Sequence, residues 1–198
     1  PGVTLLESDD RGTLAALVAA ALEGRDGPVR WVDARNHAST FALSEAGRTH
    51  RILDKVQVAR AFTAHQHHAL VRQLVVEVRR PTAFVVAPAV DDLYADDDLL
   101  AQEADRLREA SLSTLSALAD ARDLPVLVTA SDENAVAEYA DETVAVEDTR
   151  FGPRFDAGDD ETTAYWTRGG WQTTIPYWVD LLGSVSGPVP VARPEVVA

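Results

Sequence analysis

The feature that most constrains this chain is a regular alternation of short apolar runs with longer segments of helical periodicity. VTLLES (Val3–Ser8), VRWVDA (Val29–Ala34), VQVAR (Val56–Arg60), AFVVA (Ala83–Ala87) and PVLVTA (Pro125–Ala130) are five or six residues long and read as strands. Helical patterns fall between them at Leu14–Glu23, Ala64–Arg79 and Leu99–Arg122, the last being the longest. Strands joined through helices pair in parallel, because an antiparallel neighbour needs only a tight turn, so the order predicts an α/β sheet with helices on its faces. The unbroken apolar run of AFVVA predicts a strand buried on both sides. Gly24 is placed to stop the first helix, Thr63 to cap the second and Pro81 to follow its end. A polar stretch from Arg35 to Leu53 has no decisive period. The segment ETVAVEDTRFGPRF predicts an antiparallel hairpin at the sheet edge. One domain is expected over residues 1–183, with a Pro-rich, loosely ordered tail over 184–198.

Composition narrows the chemistry. The absence of cysteine excludes disulfides, thiolate metal sites and cysteine nucleophiles. Acids outnumber bases 32 to 18 for a net charge of −14, and Lys55 is the one lysine. Arginine in place of lysine on an acidic surface fits adaptation to high salt, where screening weakens self-repulsion. Such a charge disfavours nonspecific nucleic-acid binding, which depends on clustered cations. No apolar run approaches the ~18 residues of a membrane span, and the opening PGVTLLESDDRG lacks the pattern of a signal peptide, so a cytoplasmic protein is expected.

Three segments carry a likeness to a known family. WVDARN, VQVARAFTAHQHHALVRQL and the stretch from VVAPAVDDLYADDD to PVLVTAS resemble, in that order, the ATPase core of the RecA/RadA recombinase superfamily, and of haloarchaeal RadA paralogues in particular. The likeness covers about residues 3–155, and ARAF followed by HQ is its most particular part. It implies a RecA-like (P-loop NTPase-type) three-layer α/β sandwich, with a mostly parallel central sheet and an antiparallel C-terminal edge hairpin. In that setting His65, His67 and His68 become architectural or surface residues of a connector and its helix; a metal pair at His65 and His68 is the competing reading.

The same resemblance implies that the nucleotide chemistry is degenerate. A phosphate loop needs glycines, a lysine and a hydroxyl, whereas the corresponding SDDRGTL offers Asp9, Asp10, Arg11, Gly12 and Thr13. Asp10 or Ser8 can serve there as a helix cap. The resemblance puts Ala87 where the magnesium-binding aspartate would stand and Arg35 where the catalytic glutamate would. An arginine stays protonated and cannot act as a base. It follows that no catalysis, nucleotide cofactor or bound metal is expected. The expectation is an accessory protein of homologous recombination or DNA repair, partnered by a RadA-type recombinase or another repair protein, with DNA touched weakly or only within a complex. A regulatory scaffold related to KaiC-like proteins is an alternative. So is a Mg-dependent hydrolase using Asp91, Asp92, Asp96, Asp97 and Asp98 of the acidic turn. For partner binding the aromatic patch YWTRGGWQTTIPYW offers Trp166, Arg168, Trp171 and Tyr177, with Tyr165 and Trp178 beside them. Against this, an edge hairpin can fold such aromatics onto its own sheet.

Overall fold

The computed structural model describes residues 2–8, 10–23, 25–47, 51–78, 81–96, 99–149, 152–156, 161–167 and 170–173; at 148–149, 152–154, 161–167 and 170–173 only the backbone is described. Strands β1 (Gly2–Glu7), β2 (Val29–Asp33), β3 (Val56–Arg60), β4 (Phe84–Ala87) and β5 (Pro125–Val128) appear where the apolar runs predict them, the ends differing by one or two residues. Helices α1 (Arg11–Leu22), α4 (Ala64–Glu77) and α5 (Ala101–Arg122) match the helical patterns. The polar stretch resolves into two short helices, α2 (Thr40–Ala46) and α3 (Arg51–Lys55), and α6 (Glu133–Ala137) follows β5. Strands β6 (Glu142–Thr149), β7 (Gly152–Asp156), β8 (Glu161–Thr167) and β9 (Gly170–Thr173) complete the described chain.

The sheet order is β3-β2-β4-β5-β1-β6-β7-β8-β9. The six strands from β3 to β6 are mutually parallel, and β7, β8 and β9 continue antiparallel. From β1 to β3 the chain moves toward one edge of the sheet, and from β3 to β6 it moves back. Because crossovers are right-handed, the two directions put their helices on opposite faces. One face packs α1, α2 and α3 through Leu14, Leu17, Val18, Leu43 and Ile52 onto Leu6, Trp31, Phe84 and Val86. The other packs α4, α5 and α6 through Val71, Leu74, Leu115 and Val136 onto Val3, Leu5, Val85 and Val126. Alternate residues of one strand therefore serve different layers, Phe84 and Val86 one and Val85 and Ala87 the other. The result is a three-layer α/β sandwich with a mostly parallel sheet. Among the described residues no helix is long and apolar enough to cross a membrane.

Two expectations need correction. Helix α1 starts at Arg11 instead of Leu14, because the Asp10 side chain, accepting from the Thr13 amide, caps it three residues earlier. The hairpin predicted from ETVAVEDTRFGPRF forms as β6 and β7, but it is not the edge: β8 pairs with β7 and β9 with β8, so among the described residues the edge hairpin is the next one along. Phe155 of β7 is buried against the α1 side of the core, as suits an interior strand. The tail over 184–198 lies outside the described residues.

Candidate functional site

In an open parallel sheet, ligands sit at the carboxyl ends of the strands, where the connecting loops converge. Here that edge gathers the β1–α1 turn, the β2–α2 loop, the end of β3, and the turns after β4 and β5. It holds Asp10, Arg11, Gly12, Thr13, Arg35 and Ala87, the described positions singled out from the sequence.

The β1–α1 turn is closed on itself. Asp10 accepts from the Thr13 amide at 2.5 Å, and its own amide donates to Ser8 Oγ at 3.2 Å. Burial alone would raise the Asp10 carboxyl, but hydrogen bonds from the Thr13 side chain and from the Thr13 and Gly12 amides outweigh it and hold the group below its ordinary range. The side chain thus stays a carboxylate at the helix N-terminus, the end the backbone dipole makes positive. Thr13 is buried. Asp9 lies outside the described residues. Arg11 reaches across to donate to the Arg35 carbonyl at 3.1 Å.

Arg35 and Asn36 both adopt left-handed backbone, with φ of 55° and 60°. This turns the chain sharply after β2 and sends the Arg35 guanidinium toward the acidic turn, where it donates to the Asp92 carbonyl at 3.2 Å and pairs with the Asp96 carboxylate. Ala87 is fully buried at the end of β4, and Ala89 follows it with φ of 48°. In the acidic turn, the Asp91 carboxylate accepts from the amides of Ser131 and Asp132 at 2.9 and 2.7 Å. The Ser131 hydroxyl donates to Asp92 Oδ1 at 2.6 Å. These acids tie the turn after β4 to the turn after β5. Asp97 and Asp98 lie outside the described residues. Among the described residues no group of three or more His, Asp or Glu is arranged to hold a metal ion.

An ion pair that the sequence reading overlooked joins this edge. Asp33, the last residue of β2, is fully buried and accepts from the amides of His37 and Ala38 at 2.8 and 3.0 Å and from Arg60 Nε at 2.7 Å. Arg60 also donates to the Ala38 carbonyl at 3.2 Å. The signal was present in the sequence: Asp33 and Arg60 end neighbouring parallel strands and are register partners.

The three histidines of this segment fall in different settings. His65 is exposed, with its ring 3.6 Å from Glu103. His67 is fully buried, and its Nδ1 lies 2.7 Å from the Tyr94 hydroxyl. That hydroxyl is 2.8 Å from Ser111 Oγ, which is also 3.0 Å from His68 Nδ1 and donates to the Leu107 carbonyl at 2.8 Å. A carbonyl can only accept, so the Ser111 proton is spent there, and Tyr94 must donate to Ser111. His67 and His68 must then each carry their proton on Nδ1. Burial pushes the Tyr94 phenol up to about 12, which keeps it protonated. The network clamps α4, α5 and the single turn of 3-10 helix at Asp92–Tyr94. Tyr94→Phe, leaving His67 Nδ1–H without its acceptor, is expected to destabilise the chain by about 1–3 kcal/mol, read as an earlier midpoint in denaturant melts with an unchanged slope.

Of the predicted partner patch, Trp166 and Trp171 stand directly opposite each other in the β8–β9 register, and Tyr165 opposite Gln172. The two tryptophans thus stand on neighbouring strands, while their side chains, and the whole of Arg168, Tyr177 and Trp178, lie outside the described residues. No model of a known protein family matches the chain, and no curated protein matches it in sequence.

Proposed function

We propose that the chain is a non-catalytic, RecA/RadA-like accessory protein of homologous recombination or DNA repair that acts by binding other proteins. The observation that carries this reading is the state of the β1–α1 turn. A phosphate loop holds its helix-terminal amides open for a nucleotide, whereas here the Asp10 carboxylate occupies the Thr13 amide and sets a negative charge where phosphate oxygens would come. Two unit charges at 4 Å repel by about 1 kcal/mol in water and by several times that at a partly buried site. Arg35, in the position of the base, is an ion-pair partner of Asp96. Ala87, in the position of the magnesium ligand, brings no oxygen beyond its backbone. The hydrolase alternative loses ground, because both oxygens of Asp91 are taken by backbone amides.

Calorimetry of the purified chain with Mg·ATP, in dilute buffer and in molar salt, is expected to show no micromolar binding. Micromolar binding competed by ADP would end the non-catalytic reading. Capture of a RadA-type recombinase by the immobilised chain is the positive arm, and failure with both a recombinase and a single-strand-binding protein would remove the repair assignment.

A further inference from the structure

The same edge has a concavity displaced from the β1–α1 turn toward β2 and β3. It is an open cleft of about 460 Å³, walled by the start of α1, the β2–α2 loop, the first turn of α2 and the end of β3. Arg11, Asn36, Thr40, Phe41 and Arg60 are among the residues that line it. Its volume falls in the range of small-molecule sites.

Three properties set it apart from an ordinary surface dimple. The charged side chains of its lining are two arginines, in a chain with 32 acids and 18 bases. Both guanidinium groups are oriented by the protein, and among the described residues they keep donors free. Arg60 is fixed by Asp33 and the Ala38 carbonyl, which use two of the five N–H donors of a guanidinium. Arg11 is fixed by the Arg35 carbonyl, and among the described residues no carboxylate lies within ion-pair distance of it. An arginine held by carbonyls keeps its full charge for an incoming anion. Finally, Phe41 stands in the wall with 70% of its surface exposed, an aromatic face of a kind that folding normally covers.

We infer that this cleft binds a small molecule carrying an oxyanion next to a flat apolar group, the oxyanion taken by Arg11 and Arg60 and the flat group laid on Phe41. Planar guanidinium forks match carboxylate and phosphate alike, so the shared chemistry is the oxyanion. The site is independent of the accessory reading above: it needs no nucleotide chemistry, and either can fail without the other.

The test uses benzoate and phenyl phosphate as probes and benzamide as the uncharged control, followed by NMR at the lowest salt at which the chain stays folded. Saturable shifts at Arg11, Phe41 and Arg60 are expected in the millimolar range with at least one of the two anions, and the stronger arm identifies the oxyanion. Benzamide is expected to produce none. Arg11→Gln, which removes a side chain tied, among the described residues, to one carbonyl, is expected to weaken the anion about fivefold or more without changing the melting temperature. Phe41→Ala weakens it as well, and separates the apolar contact from the charge. The inference is overturned if neither anion saturates, if benzamide shifts the same resonances equally, or if Arg11→Gln binds like the parent chain.

Discussion

Replacing Asp33 with alanine is expected to destabilise the protein by about 3 kcal/mol, the lower part of the range for breaking a buried ion pair by removing one partner. The buried carboxylate holds the His37 and Ala38 amides and the Arg60 guanidinium together. With alanine there, the Ala38 amide stays buried with no acceptor, and the loop that carries Arg35 and Asn36 loses its anchor. Arg60 can turn to water, because its side chain is already 37% exposed, which keeps the cost from the upper end of the range. For a chain of this length the melting temperature should fall by roughly 6–12 °C. Arg60→Gln, which leaves the fully buried Asp33 carboxylate its two amides but no countercharge, should lower the melting temperature by a comparable amount. An Asp33→Ala protein that melts with the parent would show that the pair does not hold this edge.

The second large effect is a loss of stability in mild acid. Burial, reinforced by the neighbouring His68, lowers the His67 imidazole from 6.5 to about 4. The folded protein therefore keeps His67 neutral in a window where the unfolded chain protonates it. In that window the unfolded state binds more protons, so stability rises with pH and falls as pH drops from 6.5 toward about 4. The full loss is about 3 kcal/mol at ~1.4 kcal/mol per pH unit. His68, also lowered by burial and then by Arg72 and His65, adds a contribution of the same sign, as does Asp10 at lower pH. Comparison with His67→Gln isolates the buried ring, since the variant has no proton to take up at that position. Denaturant melts from pH 7 to pH 4 should slope more steeply for the parent chain. Equal slopes would mean that His67 is protonated in the folded state.

Much of the architecture was legible because it depends on local pattern. AFVVA announced a strand covered on both faces, and Thr63 announced the start of α4, where its side chain accepts from the Gln66 amide at 3.3 Å. Less legible was whatever depends on elements meeting across the sheet. The stretch Arg35–Leu53 reads as polar because its helices are short and bury little beyond Leu43 and Ile52, too few residues to establish a period. The hairpin of β6 and β7 looked like an edge because its own sequence cannot reveal that two more strands will add to it. The same limit applied to the candidate site. Asp10 was visible as a cap because a cap is a local event. The cleft was not, since Arg11, Phe41 and Arg60 are brought together only when β2 and β3 pair and α2 packs against α1.

The strand order also dictates when this protein can finish folding. Strand β1 sits between β5 and β6, so its ladder partners are Pro125–Val128 and Glu142–Ala145, more than a hundred residues further along the chain. Strands β2, β3 and β4, which pair among themselves, have their partners much sooner. During synthesis, at about 5–20 residues per second, β1 and the apolar face of α1 must wait several seconds to tens of seconds for the strands that will enclose them. Contacts of such separation are also the slow ones to close from an unfolded chain. The segment Val3–Leu6 is then an apolar strand with no neighbour, and the acidic Glu7, Asp9 and Asp10 that follow it in sequence act as charged guards against its pairing with another nascent copy.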